Sequence, residues 1–87
     1  MSLEDDFQAA RESVNGFSKR PTDGELLQLY GLFKQATTGD ARGKRPGMLD
    51  FRGRAKFDAW ASHQGESSEQ CMQAYVELVR QLESRYR

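Results

Sequence analysis

Met72, Tyr75, Val79, Leu82 and Tyr86 recur in steps of three and four, which lays one apolar stripe along a helix and leaves the other side polar. A stripe of that kind needs partner faces to cover it. The chain supplies them at the same period: Leu3, Phe7, Ala10, Val14 and Phe17 come first, then Leu26, Leu27, Leu29, Tyr30, Phe33 and Ala36, then Phe51, Ala55, Phe57, Trp60 and Ala61. No segment alternates with a period of two, and no internal repeat is visible. The fold class is therefore all-α, with four helices. At 87 residues the chain has room for one domain, 1–87, with a thin core.

Local signals place the helix ends. Ser2, three residues before Asp5, begins the first helix with Glu4, Asp5 and Asp6 against its positive end, and Gly16 with the Ser18 to Pro21 segment stops it. Thr22 and Glu25 form a capping box for the second, which Gly39 closes. Asp50 caps the third, expected to run to about Gly65 with Phe51, Phe57 and Trp60 turned to the core. Ser67 and Gln70 open the fourth. The first and third links are short enough for antiparallel neighbours. The Gly39 to Asp50 link is long enough to cross the end of the bundle, so an up-down-down-up order is permitted.

Charge is balanced overall and uneven locally. Thirteen Lys and Arg face thirteen Asp and Glu. Yet Lys34, Arg42, Lys44, Arg45, Arg52, Arg54 and Lys56 fall in one stretch with only Asp40 and Asp50 as acids, which makes a neutral chain locally anion-seeking. The zero net charge argues against a nucleic-acid binder, which ordinarily carries a basic excess. No run approaches the roughly 20 apolar residues that cross a bilayer, so no integral membrane association is expected. The acidic start, MSLEDDFQAA, lacks the layout of a secretory signal, and the single Cys71 suits a reducing compartment, so the expected location is cytoplasmic. Cys71 and the one histidine, His63, are too few for a metal centre or a nucleophile and base. They read as a partly buried thiol and a surface imidazole, with no catalytic group, no metal and no cofactor.

Tyr30 and Lys34 lie four apart on one helix, and Arg52 and Lys56 repeat that spacing on another. If the two faces meet across a groove, three cations and a phenol converge as a ligand with several phosphates requires. The same spacing also fits scattered surface cations whose stems lie along the protein.

The segments KQATTGD (34–40), RPGMLDF (45–51) and GRAKFDAW (53–60) stand in the order and spacing of the acyl-CoA-binding protein family's central signature, and the resemblance extends over essentially the whole chain. It implies the up-down-down-up four-helix fold and a non-catalytic, monomeric carrier of medium- to long-chain acyl-CoA. By the same resemblance the segment Tyr30, Gly31, Leu32, Phe33 and Lys34, together with Arg52, Lys56 and Tyr75, contacts the ligand. Lys34 and Lys56 would hold the ribose 3′-phosphate with the Tyr30 hydroxyl, and Arg52 would lie near the acyl and pantetheine side. Tyr75 is equally readable as a core tyrosine, and both roles are compatible. Leu26 and Leu27, with Met48 and Leu49 as further candidates, would line the acyl groove. Four positions depart from the family pattern: Asn15 replaces a basic residue that assists at the nucleotide, Arg11 a small residue, Phe33 a frequent tyrosine and Phe57 a common tryptophan. Arg11, one turn before Asn15, is placed to supply the missing charge.

Overall fold

A computed structural model describes residues 2–87, which form α1 (Leu3–Asn15), α2 (Asp23–Thr37), α3 (Phe51–Ala61) and α4 (Ser68–Tyr86). Each N-terminus is capped by the residue the sequence singles out. The side chains of Ser2, Thr22, Asp50 and Ser67 accept the backbone N–H three residues on, with complete capping boxes at Thr22–Glu25 and Ser67–Gln70. Gly39 follows the end of α2 at φ +92°, a conformation glycine adopts without strain.

Contacts between helices give their directions. Along α1 and α4, the Phe7 ring meets the Tyr75 ring, the Ser13 hydroxyl donates to Glu83 at 2.7 Å, and Ser18 N–H donates to the Tyr86 carbonyl at 2.8 Å, so these helices run parallel. The Tyr86 hydroxyl reaches Glu25 at the start of α2, and the Ser68 hydroxyl reaches the Ala36 carbonyl at its end, so α2 runs against α4. Gly31 faces Ala59 and Lys34 faces Trp60, so α3 runs parallel to α2. The order is up-down-down-up. The long link returns beside α3, held by the bidentate Arg45–Asp58 pair.

The core lies where α4 meets α1 and α2. Phe7, Ala10, Leu29, Leu32, Ala36, Cys71, Tyr75, Val76, Val79 and Leu82 are buried there. Three expectations are corrected. The short first and third links make antiparallel helices that do not pack backbone to backbone: α1 and α2 touch through side chains such as Phe7, Arg11 and Phe33 while both pack on α4, and α3 packs on α2 alone. The third helix ends at Ala61, and a turn rather than helix carries the chain to Gly65. Finally, α3 has no buried residue: Phe51 is 77% exposed, and Phe57 and Trp60 are half-buried, since one partner helix cannot cover a broad apolar side.

Candidate functional site

The uncovered side of α3 and the facing side of α2 enclose a cleft of about 420 Å³. Its apolar wall is Leu26, Leu27, Phe51 and Ala55; Tyr30, Arg52 and Lys56 add polar groups, and the Arg20–Asp23 ion pair lies at its edge. Helical spacing produces this arrangement. Leu26, Leu27 and Tyr30 share a face of α2, as do Arg52, Ala55 and Lys56 on α3.

The helices can come this close because of Gly31. A Cβ there would stand 2.5 Å from the Ala59 carbonyl oxygen and 2.8 Å from its carbon, both backbone atoms that no side-chain rotation can move aside. On either side of that contact, cations rest on aromatic faces. Lys56 Nζ lies 5.3 Å from the Tyr30 ring centroid and Lys34 Nζ 4.7 Å from that of Trp60. Among the described residues, Lys34, Arg52 and Lys56 form no ion pair, so their charge is available to an incoming anion.

A second cavity, about 240 Å³, opens between α1 and α2 and shares Leu26 and Tyr30 with the first. Arg11, Asn15, Phe33 and Tyr75 line it, with the Arg11 guanidinium 4.4 Å from the Phe33 ring centroid. Tyr75 is 6% exposed and belongs both to the core and to this cavity wall. Burial pushes its phenol up from the ordinary value, while nearby Arg11 acts in the opposite direction, so the hydroxyl stays protonated and can donate.

The structure thus gathers Tyr30, Arg52, Lys56, Leu26 and Leu27 at one cleft, and Phe33, Tyr75, Arg11 and Asn15 at the other. Lys34 lines neither and lies at the α2–α3 seam. Gly31 and Leu32 line neither as well: Gly31 is consumed by the contact with Ala59, and Leu32 is 7% exposed in the core. Met48 and Leu49, at 78% and 92% exposure, are outside both cavities. Sequence reasoning did not single out Ala55 as lining the cleft, although its place one turn from Arg52 was the available signal. It also missed the Arg20–Asp23 pair, which precedes and opens α2.

Cys71 is fully buried, not partly, because it occupies the first turn of α4 beneath the α3–α4 link. Burial, reinforced by the neighbouring Glu66 carboxylate, pushes its thiol up to about 11, so it is no nucleophile near neutrality. The His63 side chain is 23% exposed and meets Glu66 at 3.1 Å, so the expected surface imidazole is partly covered and has a partner.

Comparison with known proteins identifies the family and the fold. Residues 4–79 match the family described as Acyl CoA binding protein. The chain is 46% identical over 84 residues to an acyl-CoA-binding protein homolog of Drosophila melanogaster, covering 97% of this chain and 98% of that one, and 47% identical over 83 residues to one of Manduca sexta, covering 94% and 92%. Among solved structures it resembles Oryza sativa Acyl-CoA-Binding Protein 2, with a TM-score of 0.87 at 36% identity over 93% of this chain and 90% of that one. It also resembles ACBP from Moniliophthora perniciosa, with a TM-score of 0.81 at 46% identity over 90% and 76%. The chain belongs to the acyl-CoA-binding protein family, whose members are non-catalytic binding proteins.

Proposed function

We propose that the protein binds acyl-CoA thioesters reversibly and carries them through the cytosol as a monomer, its 87 residues acting as one binding domain. The observation that carries this reading is the pair of cavities that share Leu26 and Tyr30 in their walls, one combining an apolar wall with unpaired cations and the other lined by aromatic and polar groups. The acyl chain lies along Leu26, Leu27 and Ala55. Phe51 extends that surface, which suits medium to long chains, and the ligand covers part of the apolar area the free protein exposes. Arg52 sits on the acyl and pantetheine side. Lys34 and Lys56 hold the ribose 3′-phosphate with the Tyr30 hydroxyl, Lys34 leaving the Trp60 ring for the stronger charge-assisted contact. The nucleotide end enters the cavity of Phe33, Tyr75, Arg11 and Asn15, where Arg11 supplies the cation that Asn15 lacks. Gly31 and Leu32 contribute as buried backbone that turns Tyr30 and Phe33 outward. A lone buried thiol, with no second cysteine to pair with, suits the reducing cytosol.

The test is a calorimetric titration with palmitoyl-CoA, coenzyme A and palmitate, followed by a series of saturated acyl-CoAs below their micelle-forming concentrations. Palmitoyl-CoA should bind far more tightly than either half. Affinity should rise by up to about 0.8 kcal/mol for each methylene buried and then level off. A profile flat in chain length would mean that only the nucleotide is held, and would end the carrier reading.

A further inference from the structure

Three ligating side chains meet on the face of the molecule where the α3–α4 link enters α4, among residues the acyl-CoA cleft does not use. Glu66 Oε1 lies 3.1 Å from His63 Nδ1 and 3.4 Å from Cys71 Sγ, and all three donor atoms fall within 4.8 Å of one another. In the metal-free protein the Cys71 thiol donates to Glu66 Oε1, and His63 Nδ1 lies within hydrogen-bond distance of the same carboxylate. We propose that His63, Glu66 and Cys71 form a binding site for a zinc-class divalent cation, one nitrogen, one oxygen and one sulfur donor with a fourth position open to water.

The donor set selects the ion. Thiolate and imidazole suit zinc, whereas magnesium and calcium take oxygen donors. The geometry is close to what that ion requires. Bonds of roughly 2.0–2.3 Å in a tetrahedron place the donors a little over 3 Å apart, so the two contacts to Glu66 already fit and only the His63–Cys71 separation has to close. Access is graded: the Glu66 side chain is 43% exposed, that of His63 23%, and Cys71 forms a fully buried floor. On binding, the thiol proton leaves to solvent as the metal–sulfur bond forms. His63 binds as the neutral tautomer that carries its one proton on Nε2, a proton on Nδ1 exchanging there through solvent, which leaves the Nδ1 lone pair for the metal.

The surroundings hold these donors in place. The Gln35 side chain, 2% exposed, donates to the Glu66 carbonyl at 3.0 Å and to Asp40 at 2.8 Å, and Asp40 also accepts Gly65 N–H at 2.8 Å. The buried Gln35 Oε1 has no partner among the described residues, an unmet acceptor in the wall of the same link. His63 packs beside Gly31, the point where α2 and α3 touch. Since α3 and α4 do not pack on each other, an ion here would join the link after α3 directly to α4.

Cobalt titration of the chelator-treated full chain tests this. One equivalent should bind with the visible bands of a tetrahedral ion and a thiolate-to-cobalt charge-transfer band. Zinc should displace the cobalt and raise the melting temperature, and magnesium should do neither. Cys71→Ser should abolish the charge-transfer band, and His63→Gln and Glu66→Gln, at partly exposed positions where folding is kept, should each weaken binding at least about a hundredfold, more than loss of an outer-shell partner ordinarily costs. Binding that survives His63→Gln unchanged, or a cobalt spectrum without the thiolate band, would overturn the assignment. Because these residues lie outside both cavities, acyl-CoA titrations of the metal-free protein read the two proposals separately.

Discussion

Helices α3 and α4 read alike in sequence, each with aromatic and aliphatic residues at helical spacing, yet their environments differ. Five residues of α4 are buried and none of α3 is. The difference lies in partners: α4 is packed on two sides, by α1 and α2, whereas α3 has α2 alone. An amphipathic pattern states how much apolar surface a helix offers, but the number of neighbouring faces decides how much becomes core. What α3 leaves uncovered is the cleft wall. One helix therefore carries stability and the other carries the site.

Four tests, built on five substitutions, probe that division, from the largest expected effect to the smallest. Leu82→Ala removes a side chain that is 2% exposed in the C-terminal part of α4 and should cost about 2–5 kcal/mol of unfolding free energy in denaturant titrations. Phe51→Ala, a larger truncation at a residue 77% exposed, should stay within about 0.5 kcal/mol of the parent. Equal costs for the two would erase the distinction between core and wall. Second, Gly31→Ala forces its Cβ into the Ala59 backbone. Overpacking should cost about 1–3 kcal/mol, partly offset by the roughly 0.8–1 kcal/mol alanine gains in helix propensity, and acyl-CoA affinity should fall as α3 is pushed outward. An unchanged affinity would show that cleft width does not matter to the ligand.

Third, Lys56→Ala should weaken acyl-CoA binding by about 1.5–3 kcal/mol while the melting curve of the free protein stays in place. A shifted melt with intact binding would assign Lys56 to the scaffold. The smallest effect concerns acid. Glu25 is held below its ordinary value of 4.5, chiefly by the Tyr86 hydroxyl and then by Thr22 N–H, and Asp40 lies below its ordinary value through Gly65 N–H and Gln35. With these folded-state values lowered, the unfolded chain binds more protons. Stability should be fully present near neutrality and decline as pH falls from about 5. Tyr86→Phe removes the largest cause at Glu25, so its acid unfolding curve should be shallower than the parent's. Identical curves would mean that the Glu25–Tyr86 bond contributes nothing to acid sensitivity.

Legibility in sequence followed the range of the interaction. Capping at Ser2, Thr22, Asp50 and Ser67 is decided within three residues and could be read directly. The α1 and α4 stripes were readable too, since burying them is the only way a chain this short forms a core. Which helix α3 would lack as a partner depends on the packing order, so Phe51 and Trp60 were expected in the core and are not. The site was readable where spacing sufficed: Tyr30 with Arg52 and Lys56, Leu26 with Leu27. The i,i+4 relation of Lys34 to Tyr30 did not reveal that Trp60, from another helix, lies beneath its ammonium. Nor did spacing reveal the contact of Cys71 with Glu66, made only when the turn after α3 folds back.

The seam between α2 and α3 carries its own optical label. Trp60 is the chain's one tryptophan; its indole N–H donates to the Gly39 carbonyl at 2.6 Å, and its ring lies under the Lys34 ammonium. All emission excited selectively in indole therefore originates at this one junction, in the native protein without any attached dye. Departure of the Lys34 charge, widening of the cleft or loosening of the Gly39 turn would each alter the quantum yield or colour of that emission, whereas fraying of α1 would leave it unchanged. Stopped-flow fluorescence can thus time events at the cleft separately from the melting of the core.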